Sequence, residues 1–261
     1  MGLIALLPEI DEHIDSAFVM HERSEKLIPL HVHKKGQLGF IEGGIAYITI
    51  DNETYVVPAH HYFWIPVGIP HTLRVGHSGT VLRSLYFYTS DEGEDDFYSI
   101  LGIYPASELL IQMIKHTEKW DGQHLMRGDY NYEFMISIKK LLPQLNTNVL
   151  PIILPSTADA RMTHITEYLE ENLAEQISLR YLSNKFFMSE RSMSRMFQSH
   201  LHISFLQYLK TLRMIKAIEM LVKTNLSITD IAFAVGYDTV GSFSNTFYTF
   251  THSRPSDLRR K

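Results

Sequence analysis

The last third of the chain contains one apolar pattern twice, about fifty residues apart. Leu182 in the first copy matches Ile231 in the second, 49 positions later, and Phe197 matches Phe247, 50 positions later. Each copy places apolar residues three and four apart on both sides of a short interruption, which is the spacing of one buried helix face. The pattern predicts two helix-turn-helix units, the second helix of each entering a DNA major groove. A protomer with two units would read two successive grooves.

Helix-start signals agree with this interpretation. Ser189 and Thr239 precede the second helix of each unit and are good N-cap residues. Capping-box spacing begins at Ser204 and again at Ser227. The helix that begins at Ser204 is predicted to run to about Lys223, roughly twenty residues or ~30 Å. Because one turn of DNA is ~34 Å long, this helix would hold the two units about one turn apart.

The charge distribution favours nucleic acid as a partner of this segment. The whole chain carries a net charge of −5, which taken alone argues against DNA. Residues 178–261, however, hold twelve Lys and Arg against five Asp and Glu, so this segment is at +7 and the remainder is at −12. A sign split of this kind is typical of a nucleic-acid-binding end. Chance clustering on a solvated helix surface is the alternative.

The chain length, the hydrophobic content and the cysteine count further restrict the class of protein. The 261 residues are enough for two domains, and 45% hydrophobic residues are enough for two cores. No apolar run reaches the ~18 residues of a membrane helix, and no secretory signal is visible at the start of the sequence. Cysteine is absent, which excludes disulfides and cysteine-based metal sites. We expect a cytoplasmic protein with no membrane partner.

The first part of the chain is strand-rich. Short segments of Ile, Val, Tyr and Phe alternate with turn sequences, which predicts a sandwich or barrel. The predicted strands are Phe18–His21, Gly36–Glu42, Ile45–Ile50, Thr54–Val57, His61–Ile65, His71–Val75 and Val81–Tyr88.

Two short motifs in this region resemble the cupin barrel. His31 and His33 stand two apart, with Gln37 and then Gly44 following, and a Pro-x-Gly-x-x-His run ends at His71. The cupin pattern has Glu where Gln37 stands. In metal-binding cupins the residues that match His31, His33, Gln37 and His71 point into the barrel and bind a divalent ion, so the resemblance allows a metal site here. Three imidazoles suit zinc, nickel, copper or iron.

The alternative is a barrel pocket without metal, in which His31, His33, Gln37 and His71 hydrogen-bond a small molecule or one another. Trp64, together with Phe63 and Phe40, is a candidate for the pocket wall. Each of these aromatic residues could equally be part of an ordinary core.

Helical periodicity replaces strand alternation after the barrel, with one stripe at Leu109, Leu110, Met113 and Ile114 and another at Phe134, Ile138, Leu141 and Leu142. These helices could complete the core of the barrel or pair with a second chain.

We predict an α+β chain of two domains. Residues 1–150 form a cupin-like antiparallel barrel (about 17–90) with flanking helices (about 92–145), residues 151–158 form a linker, and residues 159–261 form an all-α tandem helix-turn-helix domain.

The predicted DNA-contacting residues lie on the second helix of each unit, opposite its core stripe. They are Arg191, Ser192, Ser194 and Arg195 in the first unit and Val240, Gly241, Ser244 and Asn245 in the second. Two solvated arginines without a partner are the alternative in the first unit. Arginine reads guanine edges and contacts phosphates, whereas the second set is chemically poor. We therefore predict that the first unit dominates base readout and that the second mainly positions the protein.

The run from Met188 to Ser256 resembles the signature of AraC-family transcription regulators, in particular Met188-Ser189-Glu190-Arg191, Arg195-Met196-Phe197, Val235-Gly236-Tyr237 and Arg254-Pro255-Ser256. The resemblance implies a sequence-specific regulator that binds double-stranded DNA, responds to a small-molecule effector, forms a homodimer and contacts RNA polymerase. His202 and His252 depart from the family's usual Gly, and Asn245 from its frequent Arg. Left-handed backbone at either histidine would cost about 1 kcal/mol or more.

Two other functions compete with the regulator. A metal-dependent cupin enzyme with a helical appendage would explain the histidines but not the repeated units. An accessory protein that binds DNA without regulating transcription would share the same DNA-binding residues.

Overall fold

A computed structural model describes residues 6–23, 27–51, 53–75, 81–89, 96–145 and 153–259. The chain divides into two compact units, one of residues 1–50 with 57–151 and the other of residues 51–56 with 152–261. Each unit is described separately below. Among the described residues, no helix is both long and apolar enough to span a bilayer.

The first unit is built on antiparallel strands. The strands of the chain are β1 (Ala17–Arg23), β2 (Leu27–His31), β3 (Gly36–Glu42), β4 (Ile45–Ile50), β5 (Glu53–Pro58), β6 (His61–Ile65), β7 (His71–Val75), β8 (Val81–Phe87), β9 (Gly102–Pro105), β10 (His124–Leu125) and β11 (Ile153–Pro155). One sheet has the order β10-β1-β8-β3-β6-β9. In the other sheet, β7 pairs with β2 on one side and with β4 on the other. In the second unit, β11 pairs with the start of β5, Leu154 opposite Thr54.

Two helices cover one face of the larger sheet. They are α1 (Glu108–His116) and α2 (Tyr130–Leu145), and short 3-10 turns precede and follow α1. Their buried residues Leu110, Ile114 and Ile138 pack against Leu38 and Trp64 of the sheet. Burying a side chain of this size contributes about 1.5–3 kcal/mol. The helices therefore complete the core of the first unit.

The second unit contains helices α3 (Ala160–Glu171), α4 (Leu179–Lys185), α5 (Glu190–Leu201), α6 (Phe205–Lys223), α7 (Ile228–Ala234), α8 (Val240–Thr251) and α9 (Pro255–Arg259). Helices α4 and α5 form the first helix-turn-helix unit, and α7 and α8 form the second. Phe197 is fully buried in the first and Phe247 in the second, as the repeated pattern predicts. The predicted capping boxes are confirmed at Ser204 and Ser227, and the predicted N-caps at Ser189 and Thr239.

The two turns have the same backbone geometry but different residues. In each unit the amide of the residue after the left-handed position donates to a carbonyl five positions back, Met188 to Ser183 and Tyr237 to Ala232. The left-handed residue is Gly236, at φ 82°, in the second unit and Phe187, at φ 53°, in the first. The C-caps of α5 and α8 are also left-handed non-glycine residues, His202 at φ 56° and His252 at φ 52°, so the strain considered for these two positions applies. The sequence pattern did not reveal the strained position at Phe187.

Several sequence predictions need correction. Strand β2 was not predicted, because Pro29 and the exposed Leu30 disguise an edge strand. Strands β9 and β10 lie in a region predicted to be helical. Leu109 is exposed, not part of the buried stripe of α1. Part of the predicted linker is strand β11, whereas its residues 151–152 lie outside the described residues.

Candidate functional site

Three histidines meet where β2 ends and β7 begins. His31 and His71 pair directly across these strands, and their ring centroids are 4.2 Å apart. The ring of His33, two residues beyond β2, has its centroid 5.1 Å from that of His71. One ring nitrogen from each histidine lies within 4.8 Å of the others. The structure thus brings together the three imidazoles that the sequence singled out.

Hydrogen bonds orient all three rings in the same way. The Nδ1 atoms of the three histidines lie near backbone carbonyl oxygens two residues away, those of Pro29 (2.9 Å), Lys35 (2.5 Å) and Ile69 (2.8 Å). Since a carbonyl only accepts, each Nδ1 carries the proton and each Nε2 presents a lone pair. Burial lowers the pKa of His31 and His33, and lowers that of His71 to about 3. The imidazoles are therefore neutral, as a metal ligand requires.

The environment of the Nε2 atoms fits a divalent transition metal. Nε2 of His71 is buried and has no hydrogen-bond partner among the described residues. Nε2 of His33 lies 3.3 Å from Oε1 of Gln37, whose amide nitrogen donates to Oγ of Ser84 at 3.0 Å. In this arrangement two lone pairs face each other, and a cation between them would satisfy both. Three imidazoles and one amide oxygen suit zinc, nickel, copper or iron, and none of them neutralises the charge of the ion.

Trp64 is not part of this cluster. It is paired with Leu38, so both side chains lie on the sheet face opposite to that of Gln37. There the Trp64 indole stacks near Phe87 and donates its Nε1–H to the carbonyl of Tyr98 at 3.0 Å. Trp64 and Phe40 therefore belong to the hydrophobic core on that face, as the alternative reading of these aromatic residues has it, and Trp64 lies away from the histidines. Phe63, in contrast, pairs with Gly39 on the Gln37 face.

The recognition helix of the first unit exposes a polar stripe. Arg191, Ser194 and Arg195 are exposed, whereas Met193 and Phe197 are buried on the other side. Ser192 is half-buried, and its hydroxyl lies 2.8 Å from that of the cap residue Ser189. Gln198 was not predicted as a contact, but it is exposed three residues after Arg195 and shares its face. Helical spacing alone would have identified it.

The recognition helix of the second unit exposes mostly small residues. Gly241 and Asn245 are exposed, and Val240 and Ser244 are half-buried. A Cβ atom built on Gly241 would meet no other atom within 4 Å. Tyr248 continues this face, and the Arg254 guanidinium lies over its ring at 5.3 Å. The exposed face of α8 therefore presents backbone and methyl groups to a partner, whereas the exposed face of α5 presents guanidinium groups.

Comparison with known proteins identifies both parts of the chain. Residues 18–91 match the family described as AraC-like ligand binding domain, and residues 182–261 match the family described as helix-turn-helix domain. The transcriptional regulator NimR of Escherichia coli (strain K12) is 27% identical over 243 residues, 92% of this chain and 86% of that protein. The transcriptional activator RhaS of Enterobacter sp. (strain 638) is 32% identical over 102 residues, 39% of this chain and 37% of that protein.

Two solved structures are also similar to this chain. The C-terminal domain of AraT, a response regulator from Geobacillus stearothermophilus, is 32% identical with a TM-score of 0.38 and covers 39% of this chain and 85% of that chain. ToxT from Vibrio cholerae is 13% identical with a TM-score of 0.38 and covers 93% of this chain and 97% of that chain.

Proposed function

Because the chain belongs to the AraC family of transcriptional regulators, we propose that it reads two successive major grooves with α5 and α8 and responds to a small molecule bound in its first unit. It is a DNA-binding transcription regulator with a ligand-binding domain. We also propose that the protein forms a homodimer and contacts RNA polymerase. The groove contacts and the effector response are likewise proposed. Such a regulator acts on cytoplasmic DNA.

The exposed polar stripe on α5 carries this proposal. Arg191 and Arg195 stand four apart on one face, where like charges cost a free helix about 0.2–0.5 kcal/mol. Neither forms an ion pair among the described residues, and both are exposed. Phosphates or guanine edges would offset this repulsion, and each good bidentate contact to a base contributes about 1–3 kcal/mol of discrimination.

The spacing between the units supports contact with two grooves. Helix α6 has 19 residues, which corresponds to about 28 Å at the usual rise per residue. Its capping box at Ser204 and Gln207 fixes its start, and Arg213 on this helix donates to the carbonyl of Glu175 at 2.8 Å. A helix fixed in this way is a rigid spacer, close to the ~34 Å of one DNA turn.

In the first unit, His31, His33 and His71, with Gln37, would hold a divalent ion. A bound ion would supply an electrophilic centre for an oxygen or nitrogen atom of an effector. The chain's own residues keep the imidazoles neutral, fix the proton of each ring on Nδ1 and bury the site. We propose that this cluster senses a ligand and does not perform catalysis, because it shares its chain with DNA-binding units.

The proposed function is tested by titrating full-length protein with DNA from around its own coding region, using fluorescence anisotropy at several salt concentrations. We expect a specific complex whose log Kd rises steeply with log salt concentration. Removal of one phosphate contact should reduce the salt slope by about one, so Arg191→Ala should flatten it. Lys140→Ala is the matched control, since Lys140 is an exposed lysine of the first unit. Equal slopes for both variants, or no specific complex, would contradict the proposal.

A further inference from the structure

The loop between α3 and α4 is anchored in the first helix-turn-helix unit. Leu173 and Ile177, near its two ends, are buried in one hydrophobic core with Leu182 of α4 and Phe197 of α5. Between them, residues 174–176 are exposed. The buried ends therefore hold this short exposed segment in a fixed position relative to the first recognition helix.

The exposed part of this loop contacts the turn of the second helix-turn-helix unit. The side-chain amide nitrogen of Gln176 donates to Oδ1 of Asp238 at 2.9 Å and to the carbonyl of Gly236 at 3.3 Å. Both partners only accept, which fixes the orientation of the amide. Asp238 directly precedes Thr239, the N-cap of α8. A side chain of the first unit thus holds the turn from which the second recognition helix starts.

Close backbone packing at Gly236 reinforces this contact. A Cβ atom built on Gly236 would lie closer than 3.0 Å both to the carbonyl oxygen of Leu173 and to Nη2 of Arg213, a separation that real Cβ atoms do not adopt. The same Nη2 donates to the carbonyl of Glu175 at 2.8 Å, so Arg213 of α6 contacts both the loop and the turn. Glycine is therefore required here by the approach of the loop as well as by its positive φ.

The equivalent turn of the first helix-turn-helix unit is open to solvent. Phe187 occupies the position of Gly236 in the same backbone geometry, and its side chain is 95% exposed. The contact with the loop is therefore not a general feature of this turn. It joins the second unit to the first.

We propose that Gln176 is a positioning residue that fixes the angle between α5 and α8, and thereby the number of base pairs between the two DNA sites that the protein accepts. This inference rests on the proposed reading of two successive grooves. Helix α6 sets the distance between the two units, but a rotation about its axis would turn α8 without changing that distance. Each base pair turns the duplex by about 35°, so a modest rotation is enough to favour a spacing one base pair longer or shorter. The hydrogen bonds of Gln176 oppose this rotation.

The first test varies the spacing between the two DNA sites. Fluorescence anisotropy gives the Kd of the full-length protein for the fragment from around its own coding region. The same fragment is then measured with one base pair inserted or deleted between the two patches that hydroxyl-radical footprinting maps. We expect the native spacing to bind more tightly than either altered spacing.

Gln176→Met keeps the length of the side chain and loses both hydrogen bonds. In this variant the ratio of the Kd at altered spacing to the Kd at native spacing should fall by about three- to tenfold. Because Gln176 is exposed, we expect the variant to fold. Gln144→Met is the matched control, since Gln144 is an exposed glutamine of α2, and it should keep the wild-type ratio.

The second test needs no DNA. The chain has no cysteine, so Ser199→Cys and Thr249→Cys, at exposed positions of α5 and α8, place one spin label on each recognition helix. Double electron–electron resonance should give one narrow distance distribution. This distribution should broaden or shift in Gln176→Met and stay unchanged in Gln144→Met.

A reduced spacing ratio together with a changed distance distribution supports the positioning role. An unchanged ratio, or an unchanged distribution, in Gln176→Met overturns it. If the wild-type protein forms no complex with two patches, the proposed function fails and the spacing role fails with it. The distance measurement then still decides whether Gln176 orients the two helices.

Discussion

Replacing Gly241 by Ala should stabilise the DNA-binding unit and weaken DNA binding at the same time. Gly241 is the second residue of α8 and does not have a positive φ, so alanine can adopt its backbone conformation. Nothing within 4 Å would contact the added methyl group, so the folded unit gives no steric reason for a glycine. A partner that approaches the helix closely gives such a reason. We expect the free energy of unfolding to rise by about 0.4–1 kcal/mol.

The loss of DNA affinity follows from the same added methyl group. Crowding a well-packed contact by one methyl costs about 1–3 kcal/mol, which corresponds to roughly a 5- to 150-fold increase in Kd. Thermal unfolding and fluorescence anisotropy with the same DNA measure the two effects. Ser242→Ala is the control, because Ser242 is exposed on the next position and is not among the predicted contacts. Unchanged DNA affinity, or a lower melting temperature, for Gly241→Ala would refute this reasoning.

Four further predictions concern the other sites. Arg195→Ala should weaken binding and relax base preference more than Asn245→Ala in a gel-shift comparison with single-base operator variants, and equal effects would contradict the ranking of the two units. Zinc or nickel at a hundred times its Kd should stabilise the protein by about 2.7 kcal/mol; calorimetry should show this binding lost in His71→Ala and kept in the exposed-residue control His116→Ala. The pKa of His71 is about 3 when folded and 6.5 when unfolded, so stability is lost as pH falls through that range, by at most about 1.4 kcal/mol per pH unit. Chemical denaturation should show a flatter pH dependence in His71→Asn, and an unchanged slope would count against a buried neutral imidazole. Phe187→Gly should raise the melting temperature, because Phe187 is 95% exposed in a left-handed conformation that costs about 1 kcal/mol or more; a decrease would mean that the ring is needed for packing.

The helical half of the chain was predictable because its signals are local. An N-cap such as Ser189 acts within one helical turn, and the spacing that buries Phe197 and Phe247 can be counted along the sequence. The same local signals failed at Phe187. There the backbone needs a left-handed residue, but the sequence has an aromatic side chain where the second unit has Gly236. Nothing in the residue type indicated that conformation.

The strand-rich half was less predictable. The pairing register of the strands decides on which face of a sheet each side chain lies and which strands lie at the sheet edges. The histidine motif correctly identified His31, His33 and His71 as neighbours, since their spacing is part of the motif itself. The side of the sheet on which Trp64 lies follows from its pairing with Leu38, which only the folded sheet reveals. For the same reason, the burial of Lys35 beside Ser16, nineteen positions away, could not be predicted from local patterns.

Hydroxyl-radical footprinting of the full-length protein on its operator tests the central claim most directly. If α5 and α8 read successive grooves, each protomer should protect two patches on one face of the duplex, about 10 base pairs apart. Arg195→Ala should remove the first patch before the second as the protein concentration is lowered. A single protected patch per protomer, or two patches on opposite faces of the DNA, would contradict the account.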